Sequence, residues 1–329
     1  MSEPSVSVVV PAFNCEKTIA RCIECILAQS HPADEIILVD DGSVDKTSEI
    51  IRTFKTVKYL YQSNAGPASA RNLGGKEARG EFIFFTDSDC LPDKNWIDRS
   101  VKHFQKPGVA VVSGSYGISN PKSRLARCIH QEILFRHRHL MPTYPKSFGS
   151  FNFGIRREVF RQVGGFNESY RQASGEDNDL SYKILKQGLR IYFEPESTVD
   201  HFHPTRMYRY LKEQFRHGFW RVKMYKLHPL MAKGDDYTFW KDIAEIPMAM
   251  FILLFLILSL YSQSFFVLWG TLSVLLFAVE LYFSKVALKR WDDCIYSAFV
   301  FFLRSFARAF GFLTGIFFFF ILKLEKKSN

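Results

Sequence analysis

The N-terminal part of the chain alternates between short apolar runs and segments with helical periodicity. The apolar runs cover Val6 to Val10, Glu35 to Val39, Val57 to Tyr61 and Phe82 to Phe85, and the helical segments cover Glu16 to Ala28 and Asp45 to Phe54. Apolar runs separated in this way by helices are typical of a parallel sheet that helices cover on both faces. The pattern therefore predicts an α/β fold.

Much longer apolar segments follow in the C-terminal part. Ile246 to Leu260 and Phe265 to Phe283 hold almost no charge, and Tyr261 to Ser264 form a polar break between them. A transmembrane helix needs about 17 to 25 apolar residues. We predict a helical hairpin with two transmembrane spans, at about 246–262 and 265–284. The alternative is a buried helical pair in a soluble domain.

The last apolar stretch, Ile295 to Leu322, has Arg304 and Arg308 near its middle. These arginines lie one helical turn apart, and a charge at the centre of a bilayer is costly. If the basic residues after the hairpin and after this stretch all lie on the cytoplasmic side, the stretch cannot cross once. We favour an interfacial or re-entrant helix over a third span. The basic residues concerned are Lys285, Lys289, Arg290, Lys323, Lys326 and Lys327.

The segment from Thr205 to Lys233, just before the hairpin, is basic and aromatic, with Glu213 as its one acid. Cationic and amphipathic aromatic side chains together suit the headgroup layer of an anionic membrane. We predict interfacial helices over 205–240, and the alternative is a solvated basic helix that packs on the sheet domain. Nucleic acid is not the expected partner, because the positive residues run directly into apolar segments.

Composition and charge support a division into an α/β domain over 1–204, the interfacial helices and a membrane region over 241–329. The chain is 47% hydrophobic and 23% charged, which excludes a disordered chain. Residues 1–120 hold 13 basic and 15 acidic residues, so the net charge of +10 arises after them. The N-terminus lacks a signal-peptide pattern. We expect a multi-pass protein of the cell membrane, with its α/β domain on the cytoplasmic face and its six cysteines as free thiols.

Polar residues follow each predicted strand, and ligands of parallel sheets bind beyond these carboxyl ends. The polar positions are Asn14, then Asp40 to Ser43, then Asn64 to Pro67, then Asp87 to Asp89. Neither GxGxxG nor GxxxxGK[ST] occurs, so the sequence does not support a dinucleotide fold or a P-loop. A different nucleotide site is needed.

Asp87 and Asp89 are two residues apart at the end of an apolar strand, so both carboxylates can face one ligand. A hard divalent cation, Mg²⁺ or Mn²⁺, that shares its shell with a diphosphate fits such oxygen ligands. The alternative for this DxD motif is a solvated turn.

Glu176 and Asp177 precede a helical pattern that ends near Gly188. Acids at a helix N-terminus are often only caps. The other interpretation is that one carboxylate is a general base for an acceptor hydroxyl.

Taken together, these motifs resemble family 2 glycosyltransferases of the GT-A fold, a Rossmann-like fold of nucleotide-diphospho-sugar transferases. The likeness spans about 200 residues and rests on motifs in the same order. They are Val8 to Asn14, Val39 to Thr47, Asn64 to Gly74, Thr86 to Asp89, Gly164 to Asn167 and Gly175 to Leu180.

The resemblance implies a role for each matching position. Asp177 would be the catalytic base, and Glu176 beside it would contact the acceptor or donor sugar. Asp89, assisted by Asp87, would hold the metal, with His201 as a further ligand that His203 could replace. The nucleotide would contact Pro11, Ala12, Phe13, Asn14, Asp41, Gly66, Arg71 and Asp87, and the acceptor side would include Asn152, Gly165 and Phe166.

The resemblance also implies an inverting transfer, with UDP as the expected nucleotide of the sugar donor. Processive relatives carry QxxRW, but here Gln214 to His217 has no Trp in register, and Cys90 to Pro92 follow the DxD motif where polyprenyl-phosphate sugar synthases have a Gln. We therefore expect transfer of one sugar to a membrane-held, lipid-linked glycan. The alternatives are a processive polysaccharide synthase and a catalytically silent scaffold.

Overall fold

A computed structural model describes residues 4–170, 175–229, 236, 240–288 and 290–322. The chain divides into two compact units. The first comprises residues 1–119 and 137–202, and the second comprises residues 120–136 and 203–329. Lys233, Lys289, Lys323, Lys326 and Lys327, on which part of the membrane prediction depends, lie outside the described residues.

The first unit contains an eight-stranded sheet in the order β3-β2-β1-β4-β7-β6-β8-β5. The strands are β1 (Val6–Ala12), β2 (Glu35–Asp40), β3 (Lys58–Tyr61), β4 (Phe82–Thr86), β5 (Cys90–Pro92), β6 (Val109–Ile118), β7 (Asn152–Arg156) and β8 (Arg190–His201). Strands β1 to β4 pair in parallel, as the apolar runs predict. The prediction of a wholly parallel sheet is wrong for the remaining strands, because β7 runs antiparallel to both β4 and β6, and β5 runs antiparallel to β8.

Helices cover both faces of this sheet. They are α1 (Ile19–Leu27), α2 (Thr47–Thr53), α3 (Pro67–Glu77), α4 (Trp96–Val101), α6 (Arg157–Gln162) and α7 (Glu176–Lys186), while α5 (Arg124–His139) lies mostly in the second unit. Val8 and Val10 face a core that includes Ile23 of α1, and Val9 faces one that includes Leu180 of α7. Since successive strand residues point to opposite faces, burial of all three explains why the run is continuously apolar.

The described part of the second unit contains four further helices: α8 (Met207–Leu227), α9 (Trp240–Leu258), α10 (Gln263–Ala287) and α11 (Trp291–Ile316), the last continuing into a π-helical turn, Phe317–Ile321. Among the described residues, two helices are long and apolar enough to cross a membrane, Gln263–Ala287 and Trp291–Ile321. Only 11% of the apolar part of α10 is buried, which does not fit the core helix of a soluble domain.

These two candidates differ from the predicted pair at 246–262 and 265–284. The second predicted span corresponds to α10, but α9 is not a candidate, because Lys241, Asp242 and Glu245 interrupt its first turns and it ends at Leu258. The stretch for which we favoured an interfacial or re-entrant helix belongs to a continuous candidate helix. By length and composition this helix could cross a membrane, and its interfacial or re-entrant position stays a prediction.

Buried ion pairs within the second unit explain how the apolar helix α11 accommodates two arginines. Arg304 is 1% exposed and donates to both carboxylate oxygens of Glu132 at 2.8 and 2.7 Å. Arg308 donates to Glu245 at 2.6 Å and to Asp242 at 3.2 Å. The charges balance, because four acids meet four bases. The full set, called the ionic cluster below, is Glu132, Arg136, Lys241, Asp242, Glu245, Glu280, Arg304 and Arg308.

Helix α8 packs closely against α11 in the same unit. A Cβ atom on Gly311 would lie 2.0 Å from the carbonyl oxygen of Phe215, so only glycine permits this approach. The basic aromatic segment is thus partly buried in helix packing, with Tyr210 3% exposed, although Tyr208 is 77% exposed. This packing is against α11 and does not test the alternative, in which a solvated basic helix packs on the sheet domain. The interfacial position of residues 205–240 stays a prediction.

Candidate active site

The loops that follow β1 and β2 lie side by side at the carboxyl ends of these strands. The backbone N–H of Asp41 donates to the carbonyl of Ala12 at 2.8 Å. Asn14, at φ 48°, donates its N–H to Oγ of Ser43 and accepts from the N–H of Val44 through Oδ1 at 2.9 Å. Phe13, which lies between Ala12 and Asn14 in the sequence, is 50% exposed. The predicted nucleotide segment therefore presents an aromatic ring at the edge where ligands of such sheets bind.

The buried carboxylate of Asp41 holds the loop that leads into α3. Its Oδ1 accepts from Gln62 Nε2 at 2.6 Å and from the Ala65 N–H at 2.8 Å, and its Oδ2 accepts from the Gly66 N–H at 2.9 Å. We predicted contacts between Asp41 and the nucleotide. In the structure these oxygens accept bonds within the protein that position Gly66 and the first turn of α3, and the contact with the nucleotide stays a prediction.

Arg71, one turn into α3, joins two distant acidic motifs. Its side chain is 2% exposed, donates through Nη2 to Asp87 Oδ1 at 2.6 Å and through Nη1 to Glu176 Oε1 at 3.1 Å. The guanidinium also lies 5.5 Å from the ring centre of Phe166. Arg71 therefore brings the DxD motif and the start of α7 together. The family resemblance implied a nucleotide contact for Arg71, and the sequence did not indicate this bridge.

Asp177 follows Glu176 in the first turn of α7 and is partly accessible. Its Oδ1 accepts from the N–H of Asn178 at 2.8 Å and its Oδ2 from the N–H of Ser150 at 3.4 Å. Burial and the neighbouring Glu176 carboxylate raise the pKa of Asp177 to about 7, although Arg71 opposes the rise. A carboxylate with a pKa near the working pH suits general base catalysis.

The two carboxylates of the DxD motif have different partners. Strand β4 ends at Thr86, and a turn in which the Cys90 N–H donates to the carbonyl of Asp87 separates them. Asp87 pairs with Arg71, whereas Asp89 Oδ2 lies 3.6 Å from His201 Nε2. The segment is a turn in the structure and not extended as the spacing argument assumed, and the sharing of one ligand by both carboxylates stays a prediction.

A candidate metal centre lies where β5 meets β8. Asp89, Cys90 and His201 each offer one ligand atom, and these atoms all lie within 4.8 Å of one another. Carboxylate oxygen and imidazole nitrogen are ligands that Mn²⁺ accepts, so the residues fit the predicted divalent cation. His201 rather than His203 belongs to this group; His203 lies in the second unit, with its carbonyl and N–H bonded to Asn120.

The three predicted acceptor-side residues are mostly buried. Asn152 is 1% exposed and bonded to Trp96, Ser115 and Ser197, so it supports the sheet rather than offering a polar atom to an acceptor. Gly165 has φ 66°, and a Cβ there would lie 2.5 Å from Asn72 Oδ1. That amide oxygen accepts from the N–H of Phe166, which lies under Arg71. The loop therefore supports Arg71.

The sequence did not indicate two residues at the candidate metal centre, Cys90 and Tyr116. Cys90 enters it because it pairs with His201 across β5 and β8. Tyr116 of β6 stacks on Phe151 and meets the His201 ring edge-on at a centroid distance of 5.6 Å. Both depend on strand pairing between distant segments, and periodicity does not show such pairing. The cysteine beside the DxD motif was the one available signal.

Comparison with known families agrees with this arrangement. The sequence matches the model for glycosyl transferase family 2 over residues 7–164 and the model for the N-terminal domain of galactosyltransferase over residues 130–208. Glycosyltransferase AglE of Haloferax volcanii is 28% identical over 68% of this chain and 75% of its own length. The uncharacterized glycosyltransferase EpsJ of Bacillus subtilis is 30% identical over 65% of this chain and 68% of its own. The pre-mycofactocin glycosyltransferase of Mycobacterium tuberculosis is 28% identical, and the match covers 52% of its length.

Solved structures share the fold. The mannosyltransferase PcManGT from Pyrobaculum calidifontis has a TM-score of 0.58 at 19% identity, covering 98% of this chain and 89% of that one. TarS from S. aureus has a TM-score of 0.52 at 17% identity, covering 93% and 55%. The chain therefore has a GT-A fold, and it is a glycosyltransferase that belongs to family 2.

Proposed function

We propose that this enzyme transfers one sugar from a nucleotide-diphosphate sugar to a membrane-held, lipid-linked acceptor, with inversion at the anomeric carbon. The bridge from Arg71 to Asp87 and Glu176 carries the proposal, because it places the DxD motif beside Asp177. Binding of the sugar donor and removal of the acceptor's proton then take place at one site.

Asp177 is the base in this proposal. Its carboxylate takes the proton of the acceptor hydroxyl as that oxygen attacks the anomeric carbon, and its raised pKa of about 7 lets it hold the proton. Arg71 neutralises Glu176, so the second carboxylate does not add a free negative charge close to the anionic donor.

Asp89 and His201 are the residues that would hold a divalent cation, Mn²⁺ or Mg²⁺. Such a cation, when bound, offsets the charge that grows on the departing diphosphate. PcManGT, which shares the fold, was solved in complex with GDP-Man and Mn²⁺, and this supports the same classes of ligand here. Asp87 orients Arg71 beside the diphosphate and completes the DxD motif.

The loops after β1 and β2 would bind the nucleotide. Phe13 offers its exposed ring to the base, and Asn14 fixes the loop against Ser43 and Val44. Asp41 acts through the position of Gly66 and α3. We expect UDP as the nucleotide.

The candidate spans support a place in the membrane. Val274 on α10 is 70% exposed and Phe317 after α11 is 52% exposed, and apolar surface of this kind suits lipid. We propose a multi-pass protein with its catalytic unit on the cytoplasmic face of an anionic membrane. A lipid-linked acceptor follows from that location.

A panel of radiolabelled nucleotide sugars tests this function. Membranes that contain the protein are incubated with each donor in Mn²⁺ or in EDTA, and lipids are then extracted. One donor should label the lipid fraction in Mn²⁺ only, with a product one sugar longer than the acceptor. A ladder of long products would favour the processive synthase. Absence of transfer and of metal-dependent donor hydrolysis would favour the silent scaffold.

A further inference from the structure

The candidate metal centre contains a thiol beside its carboxylate and imidazole. Cys90 is fully buried, and its Sγ lies 3.9 Å from Asp89 Oδ1. Its backbone pairs directly with His201, so strand pairing fixes the distance between the thiol and the imidazole. The ligand atoms of all three residues lie within 4.8 Å of one another.

This ligand set is chemically mixed. Carboxylate oxygen suits hard cations such as Mg²⁺ and Mn²⁺, whereas thiolate selects softer cations such as Zn²⁺. A centre with only Asp89 and His201 would prefer softer cations less strongly, because imidazole alone would supply that preference. The sulfur is therefore the atom that adds most to the discrimination between cation classes at this position.

We propose that Cys90 determines the metal specificity of the centre and makes it a binding site for zinc-like cations. Hard cations bind through Asp89 and His201 and leave the thiol protonated. A zinc-like cation binds through oxygen, nitrogen and sulfur together. As the bond between sulfur and the cation forms, the bond between sulfur and hydrogen breaks, and the proton passes to solvent. Nothing is oxidised or reduced.

This second mode would inhibit sugar transfer. A cation held by three side chains dissociates more slowly than one held by two, and Zn²⁺ in a four-ligand shell leaves fewer positions for a diphosphate than Mn²⁺ has. The inhibition rests on the proposed function. The binding of the zinc-like cation does not, so the two can fail separately.

Cobalt absorption tests the binding directly. Zn²⁺ has a filled d shell, so Co²⁺ is titrated in its place into the purified full chain in detergent under reducing conditions. The wild type should show a band from sulfur-to-cobalt charge transfer and release one proton for each ion bound. C90S should lose the band and bind Zn²⁺ at least about tenfold more weakly. The affinity of C90S for Mn²⁺ is measured from the electron paramagnetic resonance signal of the free ion. It should change by less than about twofold, since Mn²⁺ binds through Asp89 and His201 and does not use the sulfur.

C25S is the matched control, because Cys25 lies on α1 outside the centre. It should keep the band. A wild type without the band at saturating Co²⁺ would overturn the proposal, and so would a C90S protein that keeps it. If C90S fails to fold, H201N serves instead: it retains the thiol but should weaken Co²⁺ binding, and unchanged affinity would contradict the shared centre. A protein that shows the band but transfers no sugar with any donor would contradict only the proposed function.

Discussion

Arg71 donates to Glu176 across 105 residues of sequence, at 3.1 Å, and both side chains are buried. The same guanidinium donates to Asp87. These contacts join α3 to the DxD motif after β4 and to the start of α7. Three motifs that are separate in the chain therefore depend on one arginine.

Replacing Arg71 should damage catalysis and move its pH dependence. Arg71→Met removes a charged partner from the buried Glu176 and from the partly exposed Asp87, and it removes the positive charge that lowers the pKa of Asp177. We expect a loss of at least about a hundredfold in kcat/KM, comparable with loss of an acid-base residue. The acidic limb of the pH–rate profile should also move to higher pH. Arg71→Lys keeps the charge and should leave that limb closer to the wild-type position; an identical limb in Arg71→Met would contradict the electrostatic role.

The pH dependence of sugar transfer by the wild type should follow the ionisation of Asp177. A base acts only when deprotonated, and burial raises its pKa to about 7. Sugar transfer should therefore fall about tenfold for each pH unit below 7 and level off above it. Because the Glu176 carboxylate also raises this pKa, Glu176→Gln should move the limb to lower pH. A profile flat from pH 5 to 8 would be inconsistent with this assignment.

Metal removal should stop transfer, and Asp89→Ala should mimic it. EDTA should abolish activity, and Mn²⁺ should restore it in the wild type. Asp89→Ala should lose at least about a hundredfold, because the donor's diphosphate loses its metal-dependent stabilisation. Recovery at high Mn²⁺ concentration would show weakened binding and agree with a ligand role. Full activity of Asp89→Ala in ordinary Mn²⁺ would exclude one.

The ionic cluster should determine the stability of the second unit. Arg304→Ala leaves Glu132 and Glu245 without their shared partner, and breaking a buried pair costs about 3–5 kcal/mol. Thermal unfolding in detergent should show a large fall in Tm. The double variant Arg304→Met, Glu132→Leu should recover part of it, because apolar packing replaces both charges. Arg290→Ala, which removes an exposed ion pair, should leave Tm unchanged; an equal effect there would contradict the importance of the cluster.

The sequence predicts the parts of the molecule that local patterns determine. The apolar runs that became β1, β2 and β4 could be read directly, because burial on both faces leaves few polar positions in each strand. The pairing of β5 with β8 could not, since β5 has three residues and its partner is about a hundred residues away. For the same reason the sequence indicated His201 only through family likeness, although spacing alone indicated Asp89, and it did not indicate Cys90 as a candidate ligand.

Charged residues made the C-terminal part difficult to predict from sequence. Arg304 and Arg308 argued against a span when considered alone, but Glu132, Asp242 and Glu245 neutralise them inside the second unit. Glu132 belongs to α5, far from α11 in sequence. Helical periodicity shows the two arginines on one face and cannot show what that face meets.

Initial rates of sugar transfer by purified Asp177→Asn show whether Asp177 is the base of the reaction. The donor that labels the acceptor in the panel is used, with Asp98→Asn, an exposed position on α4, as the matched control. We expect a loss of at least about a hundredfold for Asp177→Asn and wild-type rates for Asp98→Asn. Wild-type rates from folded Asp177→Asn protein would contradict that role.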